Sequence, residues 1–244
     1  NSPGSQPGAG RHSSRGFGPA PSGGRKAIMA KFTLLEISGH VATLTLNRPA
    51  KRNALSRELR REIVDGLERC EGDESIQCVI LAAQGPAFCA GFDRSELASG
   101  AMEAVFQESR EYHRKVYTFP KPLIAAISGA ALGGGCDLAA LCDVRIATPS
   151  AVFGQPQVRF GAAAAYGLMR QIVPEGTARE MCLTGRTYSA EEALQCGLVS
   201  VLCSNEDLSQ RVSATATAIA SLPKPMAKTI KREFLKAQPI LFQD

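Results

Sequence analysis

The stretch PLIAAISGAALGGGCDLAALCD, residues 122–143, joins an apolar run to a helical pattern through three consecutive glycines. The first part has the length and the continuous apolar character of a strand that is buried on both faces. The part after the glycines is typical of a short buried helix. Glycine is costly to order, so three in a row at this junction predict that another group approaches the bare backbone closely.

Outward from this stretch, the chain alternates strands with helices. Residues 32–49 predict a hairpin with alternating buried positions, followed by a helix that Ser56 caps. We predict further strands at 77–83, 121–129, 144–148 and 197–203, and helices at 101–118, 165–173, 177–184 and 190–196, with two more helices at the end. This alternation indicates a single α/β domain with buried parallel strands.

The first 28 residues differ in composition from the rest. They are rich in Gly, Ser and Pro, and they contain four of the 28 bases and none of the 23 acids. We expect residues 1–28 to be disordered, because they cannot bury enough apolar surface to offset the entropy of ordering. They are either a leader, possessing some features of a transit peptide, or a segment of artificial or read-through origin before Met29. The domain then covers residues 29–244, which are close to neutral.

Several functional classes are disfavoured by composition. No apolar run reaches about 18 residues and no secretory signal is visible, so we expect a cytoplasmic protein, or a mitochondrial matrix protein if the leader is a transit peptide. The eight cysteines lie in apolar segments without a C-x-x-C pair, which predicts buried thiols. The only histidines are at 12, 40 and 113, which argues against a zinc site and a Ser-His-Asp triad. We expect no metal.

Two segments share one form, FCAGFDRSEL at 88–97 and ISGAALGGGCDLA at 127–139. Each passes from a strand through small residues into a helix, and N–H groups in the first turn of a helix lack partners. One N–H from each segment could converge on a single substrate oxygen as an oxyanion hole. A phosphate-binding turn and glycines that serve only close packing stay open as alternatives.

Five motifs, in order and spacing, resemble those of the enoyl-CoA hydratase/isomerase, or crotonase, family: LNRPAKRNALS (46–56), AFCAGFD (87–93), the stretch 121–148, FGQPQ (153–157) and TGRTYSAEEALQCGLVSVL (184–202). The resemblance implies a crotonase-like (ClpP/crotonase) α/β fold, a spiral of β-β-α turns with C-terminal helices. It also implies an acyl-CoA substrate whose coenzyme A is part of the thioester, no covalently bound cofactor, and a homotrimer or dimer of trimers. The family usually carries one more C-terminal helix than this sequence supplies.

The same resemblance assigns candidate site residues. The N–H groups of Phe92 and Gly134 would be the oxyanion donors. Asp137 and Gln157 match the two positions at which a hydratase of the family has carboxylates that hold water and pass protons. The contacts to coenzyme A would come from Lys51, Arg52, Asn53, Ala54, Ala90 and Asp93. Asp93 also forms a capping-box pattern with Glu96, which is the role that we prefer for it.

The residues at the two hydratase positions leave the reaction open. Asp137 is the only matching carboxylate, because the amide of Gln157 can orient water but cannot exchange a proton near neutral pH. Asp137 also suits a purely structural role in the first turn of a helix. The alternatives are a hydratase or isomerase that uses Asp137, a decarboxylase or thioester hydrolase that relies on the oxyanion hole, and a non-catalytic binder of coenzyme A or RNA. The near-neutral domain argues against nucleic acid.

Overall fold

The computed structural model describes residues 26–97 and 102–242. The strands are β1 (Lys26–Met29), β2 (Thr33–Ser38), β3 (Val41–Leu46), β4 (Cys78–Ala83), β5 (Leu123–Ile127), β6 (Ala130–Leu132), β7 (Val144–Ala147), β8 (Val152–Gly154), β9 (Thr187–Ser189) and β10 (Val201–Leu202). The helices are α1 (Arg57–Gly72), α2 (Arg94–Leu97), α3 (Met102–Tyr117), α4 (Gly134–Ala140), α5 (Tyr166–Ile172), α6 (Glu175–Thr184), α7 (Ala190–Gln195), α8 (Leu208–Ala220) and α9 (Met226–Ala237). Two 3₁₀ turns lie at Pro49–Lys51 and Pro156–Phe160.

The strands form two sheets. The large sheet has the order β1-β2-β3-β4-β5-β7-β10, antiparallel across its first three strands and parallel from β3 onwards. The small sheet has the order β6-β8-β9. The order strand, strand, helix recurs as β2-β3-α1, β5-β6-α4 and β7-β8-α5. In the last two repeats the first strand joins the large sheet and the second joins the small one, which confirms the predicted spiral of β-β-α turns.

Both faces of the parallel strands are buried, as their continuous apolar runs predict. Along β4, Val79 and Leu81 face the main core, whereas Cys78, Ile80 and Ala82 face a smaller core beneath α8. Helix α8 contributes Leu208, Val212 and Ala216 to that smaller core. The sheet is therefore a central layer, with α8 on one side and most of the other helices on the other.

Helix α1 forms where its sequence pattern predicts it. The Ser56 hydroxyl accepts a hydrogen bond from Leu59 N at 3.3 Å, so it caps the first turn as expected. The apolar residues that recur every four positions along α1, Leu59, Ile63 and Leu67, are buried, and so is Leu55 just before the helix.

Three features of the fold differ from the sequence-based expectation. Residues 26–28 were assigned to a disordered leader, but they belong to β1, which pairs with β2 as an edge strand. Residues 1–25 of that predicted leader lie outside the described part of the chain. No strand or helix was predicted between residues 148 and 165, yet this stretch contains β8 and a 3₁₀ turn. The late strand expected at 197–203 is only the two residues of β10.

The eight cysteines are all unpaired, five of them buried and three partly buried, which confirms the expectation of thiols in apolar surroundings. Within the described residues, no helix has the length and apolar character needed to cross a membrane. The same residues contain no group of three or more His, Cys, Asp or Glu side chains placed to hold a metal ion.

Candidate functional site

A cavity of about 840 Å³ is lined by α3, by the start of α4, by residues 90–92 and Arg94, and by the second 3₁₀ turn. Phe92, Gly134, Asp137 and Gln157, which were predicted to be catalytic, all line it. Ala90, one of the predicted contacts to coenzyme A, also lines it. The remainder of the wall is largely apolar and includes Ala162, Ala163, Ala164, Ala165 and Phe242.

Backbone hydrogen bonds hold the two glycine-containing segments against each other. Cys89 N donates to Ala130 O at 2.9 Å, and Leu132 N donates to Cys89 O at 3.0 Å. On its other side, the first segment pairs with Leu55, which donates to Gly91 O at 2.8 Å and accepts from Asp93 N at 3.3 Å. The segments around residues 91 and 133 are thus fixed as neighbours at the wall of the cavity.

The three consecutive glycines each have a separate structural reason. Gly133 has a φ of +53°, in the left-handed region that favours glycine. A Cβ on Gly134 would lie 2.6 Å from Cε2 of the Phe92 ring, and a Cβ on Gly135 would lie 2.1 Å from Cys89 O. The close approach predicted from the sequence is therefore made by this chain's own atoms at Gly134 and Gly135.

The N–H groups of Phe92 and Gly134 have no hydrogen-bond acceptor among the residues that the structure describes. Because Leu55 pairs with Gly91 O and Asp93 N, the intervening N–H of Phe92 points away from Leu55. Gly134 is the first residue of α4, where an N–H has no partner within the helix. Each of these donors is thus available at a residue that lines the cavity.

Asp137 is buried, with only 4% of its surface exposed. Its Oδ1 atom accepts a hydrogen bond from Gln155 Nε2 at 2.7 Å. Burial raises the pKa of the Asp137 carboxyl from its ordinary 3.8 to about 7, although the hydrogen bond from Gln155 opposes this effect. The carboxyl can therefore gain or lose a proton near neutral pH.

Gln157 is connected to Asp137 through Gln155. Gln157 Nε2 donates to Gln155 Oε1 at 2.6 Å, while Gln157 Oε1 is buried and has no partner among the described residues. A buried acceptor of this kind loses its hydrogen bond to water unless a ligand or an ordered water replaces it. Gln157 therefore presents one unused acceptor at the cavity. Gln155 itself was not singled out from the sequence.

His113 is a cavity residue that sequence reasoning missed as part of the site. It lies on α3, its Nδ1 is 3.1 Å from Ser109 Oγ, and its Nε2 is 3.6 Å from Asp137 Oδ2. Burial lowers the pKa of the His113 imidazole from 6.5 to about 4, to which the nearby Arg60 charge contributes. The imidazole stacks on the Phe242 ring, with the centroids 5.1 Å apart.

Residues 36–239 match the family model described as enoyl-CoA hydratase/isomerase. The chain belongs to this family. It is 35% identical over 208 residues to the Mycobacterium bovis protein named "Probable enoyl-CoA hydratase echA8". The alignment covers 84% of this chain and 81% of that protein. It is 42% identical over 164 residues to the 2,3-dehydroadipyl-CoA hydratase of Escherichia coli, with coverage of 66% and 64%. The crystal structure of an enoyl-CoA hydratase/carnithine racemase from Magnetospirillum magneticum superimposes with a TM-score of 0.83 at 31% identity, covering 87% of this chain and 83% of that one.

Membership of the enoyl-CoA hydratase/isomerase family confirms the crotonase fold expected from the motifs. It does not by itself assign the candidate residues of this member. The cavity brings together five of the ten residues singled out from the sequence, and the other five lie in or beside the loop that follows Arg48.

That loop has one buried anchor and two exposed cations. The Asn53 side chain donates to Gln84 O at 2.9 Å and to Ala87 O at 2.8 Å, and it accepts from Arg48 N at 2.8 Å. The polar atoms of the Asn53 side chain are thus used within the fold, and a contact between this residue and coenzyme A stays a prediction. Lys51 and Arg52 are exposed and do not line the cavity.

The loop nevertheless lies close to the cavity rim. Ala90 N donates to Arg52 O at 3.0 Å, which joins the loop to a residue of the cavity wall. Ala54 is held by its own carbonyl, which accepts from Arg48 Nη1 at 2.9 Å. The backbone of the loop therefore borders the site, while its two cationic side chains extend into solvent.

Asp93 has a structural role. Its carboxylate pairs with Arg48 Nη1 at 2.5 Å and accepts hydrogen bonds from Ser95 N and Oγ at 3.0 and 2.7 Å. The contact of Asp93 with coenzyme A stays a prediction. The predicted capping box does not form: Glu96 N donates to the backbone carbonyl of Asp93, and Asp93 N donates to Leu55 O. The Glu96 side chain instead accepts from Arg57 N.

Proposed function

We propose that this protein is an acyl-CoA thioester enzyme of the enoyl-CoA hydratase/isomerase type. One observation carries the proposal: the N–H groups of Phe92 and Gly134, without acceptors among the described residues, belong to the wall of the cavity that contains Asp137. Both N–H groups would donate to the thioester carbonyl oxygen as it becomes an enolate. Each such donor contributes about 3 kcal/mol to transition-state stabilisation in enzymes of this kind.

Asp137 would exchange protons with the substrate. A carboxyl with a pKa of about 7 is well suited to acid and base catalysis near neutral pH, because both protonation states are accessible there. Its burial in the cavity wall explains why a group with an ordinary pKa of 3.8 acquires this property. Gln155 would hold the carboxyl in place through its bond to Oδ1.

Gln157 would orient the water that adds to the double bond. Its unpartnered Oε1 can accept a hydrogen bond from that water, and its amide nitrogen is already held by Gln155. An amide does not titrate near neutral pH, so Gln157 positions the water without taking its proton.

The coenzyme A portion would lie along the loop of residues 51–54. The exposed side chains of Lys51 and Arg52 can meet its phosphates, and the backbone at Ala90 can meet its adenine. Coenzyme A would enter and leave as part of the substrate, with no covalently bound cofactor of the protein's own.

A second candidate function is favoured by Gln157 alone. A decarboxylase or thioester hydrolase of this fold would need the two N–H donors but less proton transfer, so a glutamine at a position that carries a carboxylate in hydratases would suit it. Decarboxylation in particular breaks a bond in the substrate and leaves the same enolate for Phe92 and Gly134 to stabilise.

Self-association as a homotrimer or a dimer of trimers is supported by an exposed apolar face of α9. Met226, Ile230 and Phe234 are 45%, 39% and 51% exposed, and they recur every four residues along the helix. A surface of this kind is typical of a contact between copies. We propose a cytoplasmic location, with the mitochondrial matrix as the alternative.

The test is a panel of acyl-CoA thioesters incubated with the purified protein and followed by mass spectrometry. Addition of water to an enoyl thioester, abolished by Asp137→Asn and unaffected by the exposed Asp65→Asn, is the expected result. Release of carbon dioxide, or of free coenzyme A, from the thioester would instead favour a decarboxylase or thioester hydrolase. Absence of any product across the panel contradicts both.

A further inference from the structure

His113 is a buried histidine whose second ring nitrogen has no partner. Only 5% of its surface is exposed, and within the described residues Nε2 makes no hydrogen bond. The nearest acidic atom is Asp137 Oδ2, 3.6 Å away, just beyond hydrogen-bond distance. A small movement of either side chain brings the two atoms into contact, and both residues line the cavity.

The surroundings of His113 hold the ring in place, while its buried Nε2 atom has no hydrogen-bond partner among the described residues. Ser109, one turn earlier on α3, holds Nδ1. The rings of Phe92 and Phe242 pack on the imidazole from two other segments, with centroid distances of 6.0 and 5.1 Å.

Arg60 from α1 and Tyr112 from the same helix as His113 lie near this pair. Three cysteine thiols lie near Asp137: Cys89, Cys136 and Cys182. The Tyr112 hydroxyl is buried without a partner, and burial raises its pKa well above 10. The Cys89 thiol is buried as well, and burial raises its pKa to about 12. Burial likewise raises the pKa of the Cys136 and Cys182 thiols, to about 12 and about 11. The phenol and the three thiols therefore stay neutral near pH 7, whereas Asp137 has a pKa close to 7 and the neutral His113 imidazole lies beside it.

We propose that His113 is a catalytic residue that works with Asp137 as the second acid/base group of the site, supplying the proton transfer that the amide of Gln157 cannot. This inference rests on the proposed function. It assigns the two proton transfers of hydration to an imidazole and a carboxyl from different helices.

Every proton transferred in this step is accounted for by the water, the substrate and the His113–Asp137 pair. His113 Nε2 takes a proton from water as the water oxygen forms its bond to Cβ of the enoyl thioester. Asp137 Oδ2 gives its proton to Cα, so the enolate held by Phe92 and Gly134 collapses to the 3-hydroxyacyl thioester. The proton on Nε2 then passes to Oδ2, which restores neutral His113 and protonated Asp137. One water is consumed and the pair keeps one proton throughout.

The resting protonation states suit these roles. With a pKa of about 7, the Asp137 carboxyl holds its proton over most of the range below neutral pH. With a pKa of about 4, the His113 imidazole is unprotonated over the same range and is free to accept. The net charge of the buried pair is zero before and after the transfers, so no uncompensated charge has to be created inside the cavity wall.

The test compares His113→Gln with a matched control, His40→Gln, whose histidine is exposed and has its Nδ1 atom 2.7 Å from Ser75 O. On the enoyl thioester that the wild type hydrates, we expect His113→Gln to lower kcat about 10²-fold or more and to change KM less than threefold. The control should behave as the wild type does. Thermal unfolding of both variants identifies any loss of fold.

Chemical rescue separates chemistry from packing. His113→Ala opens a space for free imidazole. We expect added imidazole to raise the rate of this variant at least tenfold, in proportion to the concentration of neutral imidazole. The assignment of His113 is wrong if folded His113→Gln keeps more than a third of the wild-type rate. It is also wrong if folded His113→Ala is not rescued by imidazole. Neither outcome contradicts the proposed function. A wild type that converts no acyl-CoA thioester overturns both.

Discussion

Replacing Asp137 with asparagine should make the protein more stable as well as inactive. Asparagine has nearly the same shape, and its Oδ1 can keep the hydrogen bond from Gln155 Nε2. The wild-type carboxyl has a pKa of about 7 when folded and close to 3.8 when exposed in the unfolded chain. Between these pH values the folded protein holds a proton that the unfolded chain has released.

The sign of the effect follows from this difference in proton binding. A group whose pKa is raised by folding contributes stability that is fully present below pH 4 and is lost as the pH rises through 7. Roughly three pH units at about 1.4 kcal/mol each give a loss of about 4 kcal/mol by pH 8. Asparagine does not ionise, so the variant avoids this loss and exceeds the wild type by up to about 4 kcal/mol at pH 8.

Urea unfolding at constant ionic strength, from pH 4 to pH 8, measures the difference directly. The free energies of unfolding of the wild type and Asp137→Asn should agree within about 1 kcal/mol at pH 4 and diverge steadily above it. Asp65→Asn removes an exposed carboxylate from α1 and serves as the control, with a curve parallel to that of the wild type. Parallel curves for Asp137→Asn and the wild type would refute the reasoning, because Asp137 would then ionise equally in both states.

Three further substitutions test separate parts of the structure. In the His113→Gln background, Gln157→Glu should raise the hydration rate about tenfold or more, because it supplies a second proton-exchanging group; an unchanged rate contradicts this. Gly135→Ala should cost at least about 3 kcal/mol in urea unfolding, because its Cβ would lie 2.1 Å from Cys89 O, whereas Gly72→Ala, with nothing within 4 Å, should cost nothing. Asn53→Ala should cost about 3 kcal/mol, since it leaves buried backbone groups unpaired, and a loss below 1 kcal/mol would contradict the anchoring role.

The local features of the fold could be predicted from the sequence because each depends on a contiguous pattern. The continuous apolar runs predicted β4 and β5, and Ser56 predicted the start of α1. The small sheet was missed because β6, β8 and β9 have only three residues each, too few for a period of two to be recognised.

The candidate site was predictable only where its residues lie in short motifs. Phe92, Gly134, Asp137 and Gln157 each occur within such a motif, and all four reach one cavity. His113 comes from a separate helix, and no motif marks it. One pattern could have found it: Ser109, His113 and Tyr117 recur every four residues and are all buried, so α3 places a polar pair on its buried face.

The anchoring role of Asn53 could not be predicted from the sequence, and this has a physical reason as well. A loop beside a binding site contains both residues that face a ligand and residues that hold the loop, and sequence spacing does not separate them. Asn53 has a φ of +52°, a conformation that asparagine tolerates better than most residues. Its amide then bonds to two carbonyls near residue 85, so it fixes the loop against the strand end instead of reaching outward.

The glycines around the cavity connect packing to the proposed chemistry. A Cβ on Gly91 would lie 2.7 Å from Leu132 O, and one on Gly135 would lie 2.1 Å from Cys89 O. Glycine at both positions therefore lets the two segments approach until their backbones are in contact. The backbones carry the N–H groups of Phe92 and Gly134, so the spacing of these donors is set by main-chain contact and not by adjustable side chains. In the proposed mechanism, a side chain at position 91 or 135 would push the two segments apart and weaken the joint donation of these N–H groups to one oxygen.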